Sequence, residues 1–317
     1  MINGDNNADS LIMNNLSRLF TEQSVLEERR ICEIKELIDA LINGVRFEFG
    51  LDLSAYEFLS VLSERINLTT HEIHRDALKI DLDRLSSFAR LLCSADKLIF
   101  CDLIVEQARR EFTTLKEEDF LLCEDQEETF IYVKNAFADE AYDVFSQDFT
   151  DPRVKYAIDF KSALKSLENE NIGYFIIPFE ERGGRRLQTV DELIFRNDLK
   201  VNAVTPVFGF DGLADMKYAL VSKRFSKLSR EIDDDCYLEI RIPADSDVSL
   251  SELLVVSEGF GLSVYRTDTA YFENDQDIKR FYSIVFRSEK GNFTRLLVYL
   301  TLFTGNYSIV GLYKNLE

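Results

Sequence analysis

Residues 171–180 read Asn171-Ile-Gly-Tyr-Phe-Ile-Ile-Pro-Phe-Glu180. From Gly173 to Pro178 the run is apolar without alternation. That is the pattern of a strand covered on both faces, and covering both faces takes helices on either side of a sheet. The flanking segments supply them. Upstream, Thr129-Phe-Ile-Tyr-Val133 predicts a strand, 137–148 a helix, Val154-Lys-Tyr-Ala-Ile158 a strand and 160–168 a helix. Downstream, 187–196 predicts a helix and 199–205 a strand. Strands alternating with helices specify a βαβ layout with a mostly parallel sheet.

Farther out the rhythm changes. Toward the C-terminus, Cys236-Tyr-Leu-Glu-Ile-Arg-Ile242 alternates like a half-buried strand. A helix at 249–258, strands at 262–270 and 281–287, a helix at 292–302 and a strand at 307–313 follow. The order is βαββαβ, the ferredoxin-like succession. Toward the N-terminus the breakers vanish: Pro152, Pro178, Pro206 and Pro243 all lie after residue 150, and only Gly4, Gly44 and Gly50 precede residue 120. With 3.6-type spacing such as Leu11, Met13, Leu16, Leu19 and Phe20, this predicts helices over 9–43, 53–66, 70–93 and 95–113, with Ser54 and Thr69-Thr70 as N-caps. Residues 116–129 flank one apolar island with acids, as an exposed linker does. The expected organisation is a multidomain α+β chain. It has an all-α helical module over 1–115, an acidic linker over 116–129, a single α/β lobe over 130–230 and a βαββαβ domain over 236–317.

Composition narrows the function. Across 317 residues, 37 Lys and Arg face 57 Asp and Glu, a net charge of -20. Nucleic acids and anionic membranes are disfavoured as partners, because phosphate contacts supply most of that affinity. Cys32, Cys93, Cys101, Cys123 and Cys236 are scattered without a CxxC pair, which fits free thiols in a reducing compartment. No signal peptide or membrane span is read, so a cytoplasmic location is expected. No cofactor or metal is expected. His71 and His74 stand three apart with no third ligand, and Asp233-Asp-Asp235 lacks the spaced ligands of a calcium loop.

Four segments carry a resemblance. Lys134-Asn-Ala-Phe-Ala-Asp-Glu-Ala141 is similar to the Gly-Thr-Phe/Tyr-Ser-Glu-Glu-Ala turn of prephenate dehydratases. The 171–180 stretch is similar to their strand ending in Val-Pro-Ile-Glu-Asn. Gly184, Thr189, Asp191 and Leu193 fall on Gly…Thr-x-Asp-x-Leu, and Asp198-Leu-Lys-Val201 matches the strand beyond. Ile309-Val-Gly-Leu-Tyr313 resembles the Val-Leu-Gly-Ser-Tyr that closes the family's ACT regulatory domain. The resemblance implies a periplasmic-binding-protein-like lobe over 130–230, an ACT domain over 236–317 that pairs with its copy in a homodimer, and descent from the enzyme that turns prephenate into phenylpyruvate, water and CO2.

The departures point away from that activity. Pro206 and Cys236 stand 30 positions apart, against the roughly 80 residues that the family's second lobe would need. Where Thr-Arg-Phe is expected, the chain has Lys217, Tyr218 and Ala219; where Glu-Asn-Ser is expected, it has Glu180, Glu181 and Arg182. Dehydration needs an acid at the departing hydroxyl in a cleft that excludes water. The remnant catalytic positions are therefore Asn135, Phe137, Glu180, Glu181, Arg182 and Lys217. Glu180 and Glu181 point to opposite faces of an extended chain, so they share no proton.

The positions corresponding to the family's phenylalanine-binding turns are Val248-Ser249-Leu250 and Asp268-Thr269-Ala270-Tyr271, and Val248 replaces a glycine that lets backbone approach the ligand. The candidate ligand-binding set is Arg182, Gly184, Arg185, Thr189, Val248, Ser249, Leu250, Asp268 and Thr269. Its expected ligand is an amino acid or a prephenate-like anion of the aromatic pathway. The expected function is a non-catalytic sensing or interaction protein. The alternative is a prephenate dehydratase with a chorismate-mutase-like helical N-terminus, of which Glu27-Glu-Arg-Arg-Ile-Cys-Glu-Ile-Lys35 carries a faint trace.

Overall fold

The computed structural model describes residues 5–49, 53–67, 89–111, 115–121, 123–169, 172–208, 214–226, 236–246, 248–274, 277–289 and 292–316. His71, His74, Asp233–Asp235 and most of the helix expected over 70–93 lie outside these residues. Two compact units divide between Thr114 and Leu115.

In the first unit, α1 (Asp5–Phe49), α2 (Ala55–Asn67) and α3 (Ser94–Glu111) are the long helices among the described residues. Ile34, Ile38, Leu41, Ile42 and Val45 recur at helical spacing on one face of α1 and are buried, as are Phe58, Leu59 and Leu62 of α2 and Phe100, Ile104 and Val105 of α3. Ser54 and Glu57 form a reciprocal cap at the start of α2: the Glu57 amide donates to Ser54 Oγ at 3.2 Å, and the Ser54 amide donates to Glu57 Oε2 at 2.8 Å. No helix among the described residues is long and apolar enough to cross a membrane.

The second unit is built on β1 (Cys123–Glu124), β2 (Thr129–Val133), α4 (Ala136–Phe145), β3 (Arg153–Ala157), α5 (Phe160–Asn169), β4 (Tyr174–Glu181), β5 (Arg185–Arg186), α6 (Gln188–Arg196), β6 (Lys200–Phe208), β7 (Ala214–Ser222) and β8 (Phe225–Ser226). It continues with β9 (Cys236–Pro243), α7 (Leu250–Gly259), β10 (Ser263–Asn274), β11 (Asp277–Ser288), α8 (Thr294–Tyr299), which runs into a π turn over Leu300–Thr304, and β12 (Ser308–Lys314).

The apolar run around 175 is β4, and it is covered on both faces. Tyr174 and Ile176 face α4 with Phe130, Ala141 and Phe145. Phe175, Ile177 and Phe179 face the other way, among Ala163 of α5 and Val190 and Ile194 of α6. The sheet is mixed rather than mostly parallel. β2 pairs with β3 and β4 in parallel, but β7 lies antiparallel between β4 and β6. The few residues between Phe208 and Ala214 permit a hairpin and are too few for a crossover, which takes a dozen or more.

The C-terminal strands run in the order β10-β11-β9-β12, all antiparallel. Their sheet does not stand apart from the lobe. β12 lies beside β6 in parallel, with Gly311 opposite Val201, so one ten-stranded sheet runs through both modules. The Leu316 amide donates to the Val204 carbonyl at 2.7 Å, and Thr205 Oγ1 donates to the Leu316 carbonyl at 3.0 Å, extending this seam. Tyr237, Val285, Val310 and Tyr313 complete the same apolar core as Phe175 and Phe179.

Candidate functional site

The polar face of the C-terminal strands is turned against the lobe. Along β9, Leu238, Ile240 and Ile242 occupy one face, and Glu239 and Arg241 stand on the other. Glu239 and Arg241 are nevertheless buried, at 0 % and 4 % exposure. Their partners come from the other module. Arg186 of β5 donates to Glu239 through both Nη atoms, at 3.4 and 2.9 Å. Its Nη1 also reaches Asp191 of α6 at 3.0 Å, and Arg241 lies 3.8 Å from the same carboxylate. Glu180, at the end of β4, receives Arg266 of β10 at 2.7 Å and Lys217 of β7 at 3.3 Å. Three ion pairs therefore cross from lobe to C-terminal module, with both signs contributed by both sides. The Arg186 guanidinium also lies over the Phe179 ring, 3.5 Å from its centroid.

Burial and charge oppose one another here. Burial pushes the Glu239 carboxyl up, but Arg186 and Arg241 more than reverse this and hold it below the usual glutamate range. Burial also raises Asp191, and Arg186 does not restore it against the neighbouring Glu239 charge. Burial lowers the Arg241 guanidinium and lifts the Tyr313 phenol well above its ordinary value.

Beside the network opens a cleft of about 450 Å3. Gly184, Arg185 and Arg186 line it from the lobe, and Arg266, Asp268 and Thr269 from β10. Gly183 and Gly184 have φ of 95° and 81°, a left-handed turn that only glycine adopts without strain and that brings Arg185 to the cleft. Of the candidate ligand residues, Gly184, Arg185, Asp268 and Thr269 thus meet at one place. The others do not. Arg182 and Thr189 are exposed outside the lining, Val248 is buried, and Ser249 caps α7 by accepting the Glu252 amide at 3.1 Å, directly before Leu250.

The candidate catalytic positions are dispersed. Asn135 caps α4, accepting the Ala138 amide at 2.9 Å and the Tyr218 hydroxyl at 3.3 Å. Phe137 is on the surface, and Glu181 is exposed in its pairing with Arg185. Glu180 and Lys217 do meet, but the gap beside them, walled by Phe179, Tyr237, Tyr265 and Tyr313, is too small for a water molecule. In the helical unit, the stretch 27–35 spends its arginines on neighbouring acids: Arg29 pairs with Glu33 at 2.9 Å, and Arg30 pairs with Asp96. Among the described residues no group of three or more His, Cys, Asp or Glu could hold a metal ion.

Comparison with solved structures finds partial likenesses. The chain is similar to a prephenate dehydratase from Streptococcus mutans, at 14% identity and a TM-score of 0.47 over 60% of this chain and 99% of that one. It is similar to GqqA, a quorum-quenching acylase, at 13% identity and 0.44 over 59% and 95%. A prephenate dehydratase from Arthrobacter aurescens, solved with L-Phe, gives 12% and 0.41 over 59% and 90%. No protein-family model matches the chain, and no curated protein sequence does. At these identities and TM-scores the likeness carries no argument, and the chemistry has to come from the residues.

Sequence reasoning missed Arg266, Glu239 and Arg241. Their signal was the alternation Glu239-x-Arg241 and Arg266-x-Asp268, which places two charges of opposite sign on one strand face. In an isolated strand that face would read as solvated.

Proposed function

We propose that this chain is a non-catalytic, small-molecule-responsive protein in which a dehydratase-like lobe is joined to an ACT-like module and the cleft between them is the ligand site. The observation that carries the reading is the placement of Glu180 and Lys217. A dehydratase needs an acid in contact with its substrate. Glu180 is 3 % exposed, both its oxygens face cations, and the gap it lines has no room for a water molecule. Among the described residues between β6 and β9 only β7 and β8 form, which supports the reading that no second lobe closes over a substrate. The cleft, by contrast, offers guanidinium donors and a size suited to a metabolite. Purified protein is expected to form no phenylpyruvate from prephenate above background; turnover would overturn the reading and restore the dehydratase. A thermal-shift screen of the twenty amino acids, prephenate and chorismate is expected to raise the melting temperature with at least one of them.

The proposal includes a homodimer through 236–317. β10 is a twelve-residue edge strand, with Val264, Tyr265 and Tyr271 exposed along it, and such edges invite pairing. A monomeric mass in light scattering at micromolar concentration would count against it.

A further inference from the structure

Among the described residues, Arg266 is held by an aligned hydrogen bond at one end of its guanidinium. Its Nη1 donates to Glu180 Oε1 at 2.7 Å across the module boundary, which fixes the guanidinium in place. The opposite edge, made by Nε and Nη2, is differently used. Asp268 Oδ2 comes within 2.7 Å of Nε, but off the N–H direction, so the contact is ionic and no aligned hydrogen bond forms. Among the described residues, Nη2 is buried and has no hydrogen-bond partner. A guanidinium edge presents two parallel N–H groups that match the two oxygens of one carboxylate or phosphate. Asp268 cannot make that match. It sits two residues along the same strand and on the same face, so its short side chain reaches only the Nε end.

Resting on the reading of the cleft as a ligand site, we propose that it takes a small oxyanion, a carboxylate or a phosphate group, on the Nε–Nη2 edge of Arg266, and that the ligand enters by displacing Asp268. Both residues line the cleft wall. The Asp268 side chain is 45% exposed and can swing into solvent, whereas Arg266 at 13% stays behind. The exchange replaces one anion by another, so the buried network keeps its charge balance. A monoanion therefore suits the site better than a dianion, whose second charge would lie beside Asp191 and Glu192 of the same lining. The incoming group also gains Nη2, an unsatisfied buried donor whose pairing is favourable. Because Arg266 also holds Glu180, a ligand seated on it acts on a contact that ties β10 to β4.

The test titrates the full chain with inorganic phosphate and, separately, with acetate, at constant ionic strength against chloride, by calorimetry. Native protein is expected to bind at least one of them. Asp268→Asn removes the competing charge and is expected to tighten that anion about three- to tenfold. Arg266→Lys keeps the charge but loses the paired edge, and is expected to weaken binding by a similar factor. A response to phosphate alone assigns a phosphoryl ligand, to acetate alone a carboxylate, and to both the general class. Absence of binding by either anion, or an Asp268→Asn chain that binds no more tightly than native, overturns the proposal. If a ligand of another chemistry stabilises the chain while Asp268→Asn changes nothing, the ligand-site reading stands and the oxyanion assignment falls.

Discussion

Replacing Glu239 by Gln keeps the shape of the side chain and removes one buried charge. Arg186 then loses a partner contacted at 2.9 and 3.4 Å but keeps Asp191 at 3.0 Å and Glu180 at 3.8 Å. At an effective dielectric of about 20, unit charges 2.9 Å apart attract by about 6 kcal/mol before desolvation is counted. Breaking a buried pair from one side costs about 3–5 kcal/mol, because the other charge is left uncompensated. With two acids remaining around Arg186, Glu239→Gln is expected at the lower end, about 3 kcal/mol. Arg186→Met should sit higher, since it also strips the guanidinium from Phe179. The double variant Arg186→Met/Glu239→Leu removes both charges, so it should cost well below the sum of the singles, by about 2 kcal/mol or more. Urea unfolding would measure this, followed by far-UV circular dichroism and tyrosine fluorescence, to which 13 tyrosines contribute and no tryptophan. The transition of the 115–317 unit should move, and that of the helical unit should not. Single costs below about 1 kcal/mol, or strict additivity in the double variant, would refute the view that these charges are buried in mutual dependence.

Two further outcomes follow from the same region. A Cβ at position 311 would stand 2.8 Å from the Tyr313 ring and 2.9 Å from Val201 Cβ, so Gly311→Ala is expected to cost about 1–3 kcal/mol in urea melts and Gly311→Val more. Stability of this unit should pass through a shallow maximum on acidification. Asp191, raised in the fold, binds its proton before the unfolded chain does, so stability rises as pH falls toward the ordinary aspartate range. Glu239, lowered in the fold, then loses its contribution as pH falls below the ordinary glutamate value of about 4.3. Asp191→Asn should abolish the rise and Glu239→Gln should soften the fall; a thermal-melting profile unchanged in both variants would contradict the assignment.

Much of this architecture is legible in the residues, for identifiable reasons. β4 announces itself through an apolar run with no alternation, because both its faces are covered. The βαββαβ order of the last third shows through periodicity alone. β9 misleads for a physical reason: a strand with charges at every second position looks half-solvated, and only the presence of another module turns that face into an interior. The mixed character of the lobe's sheet is missed because 216–221 reads as a strand without declaring its direction; the short connection from Phe208 decides that. The cleft is legible in part. Gly184 and Arg185, and Asp268 and Thr269, attract notice from two separate stretches, but nothing local says that they meet. Arg266 escapes because its importance lies in what the neighbouring Asp268 fails to satisfy.

The seam between β6 and β12 has a consequence for how the chain comes to exist. Thr205 and Leu316, bonded across it, are 111 residues apart in sequence. While the protein is being made, β6 is an open edge, and Arg186 and Glu180 await Glu239 and Arg266, which are not yet synthesised. Late closure of so distant a pairing slows folding and prolongs the exposure of that edge to other chains. The lobe is thus half of an obligate pair, and residues 115–230 expressed alone should collect in aggregates.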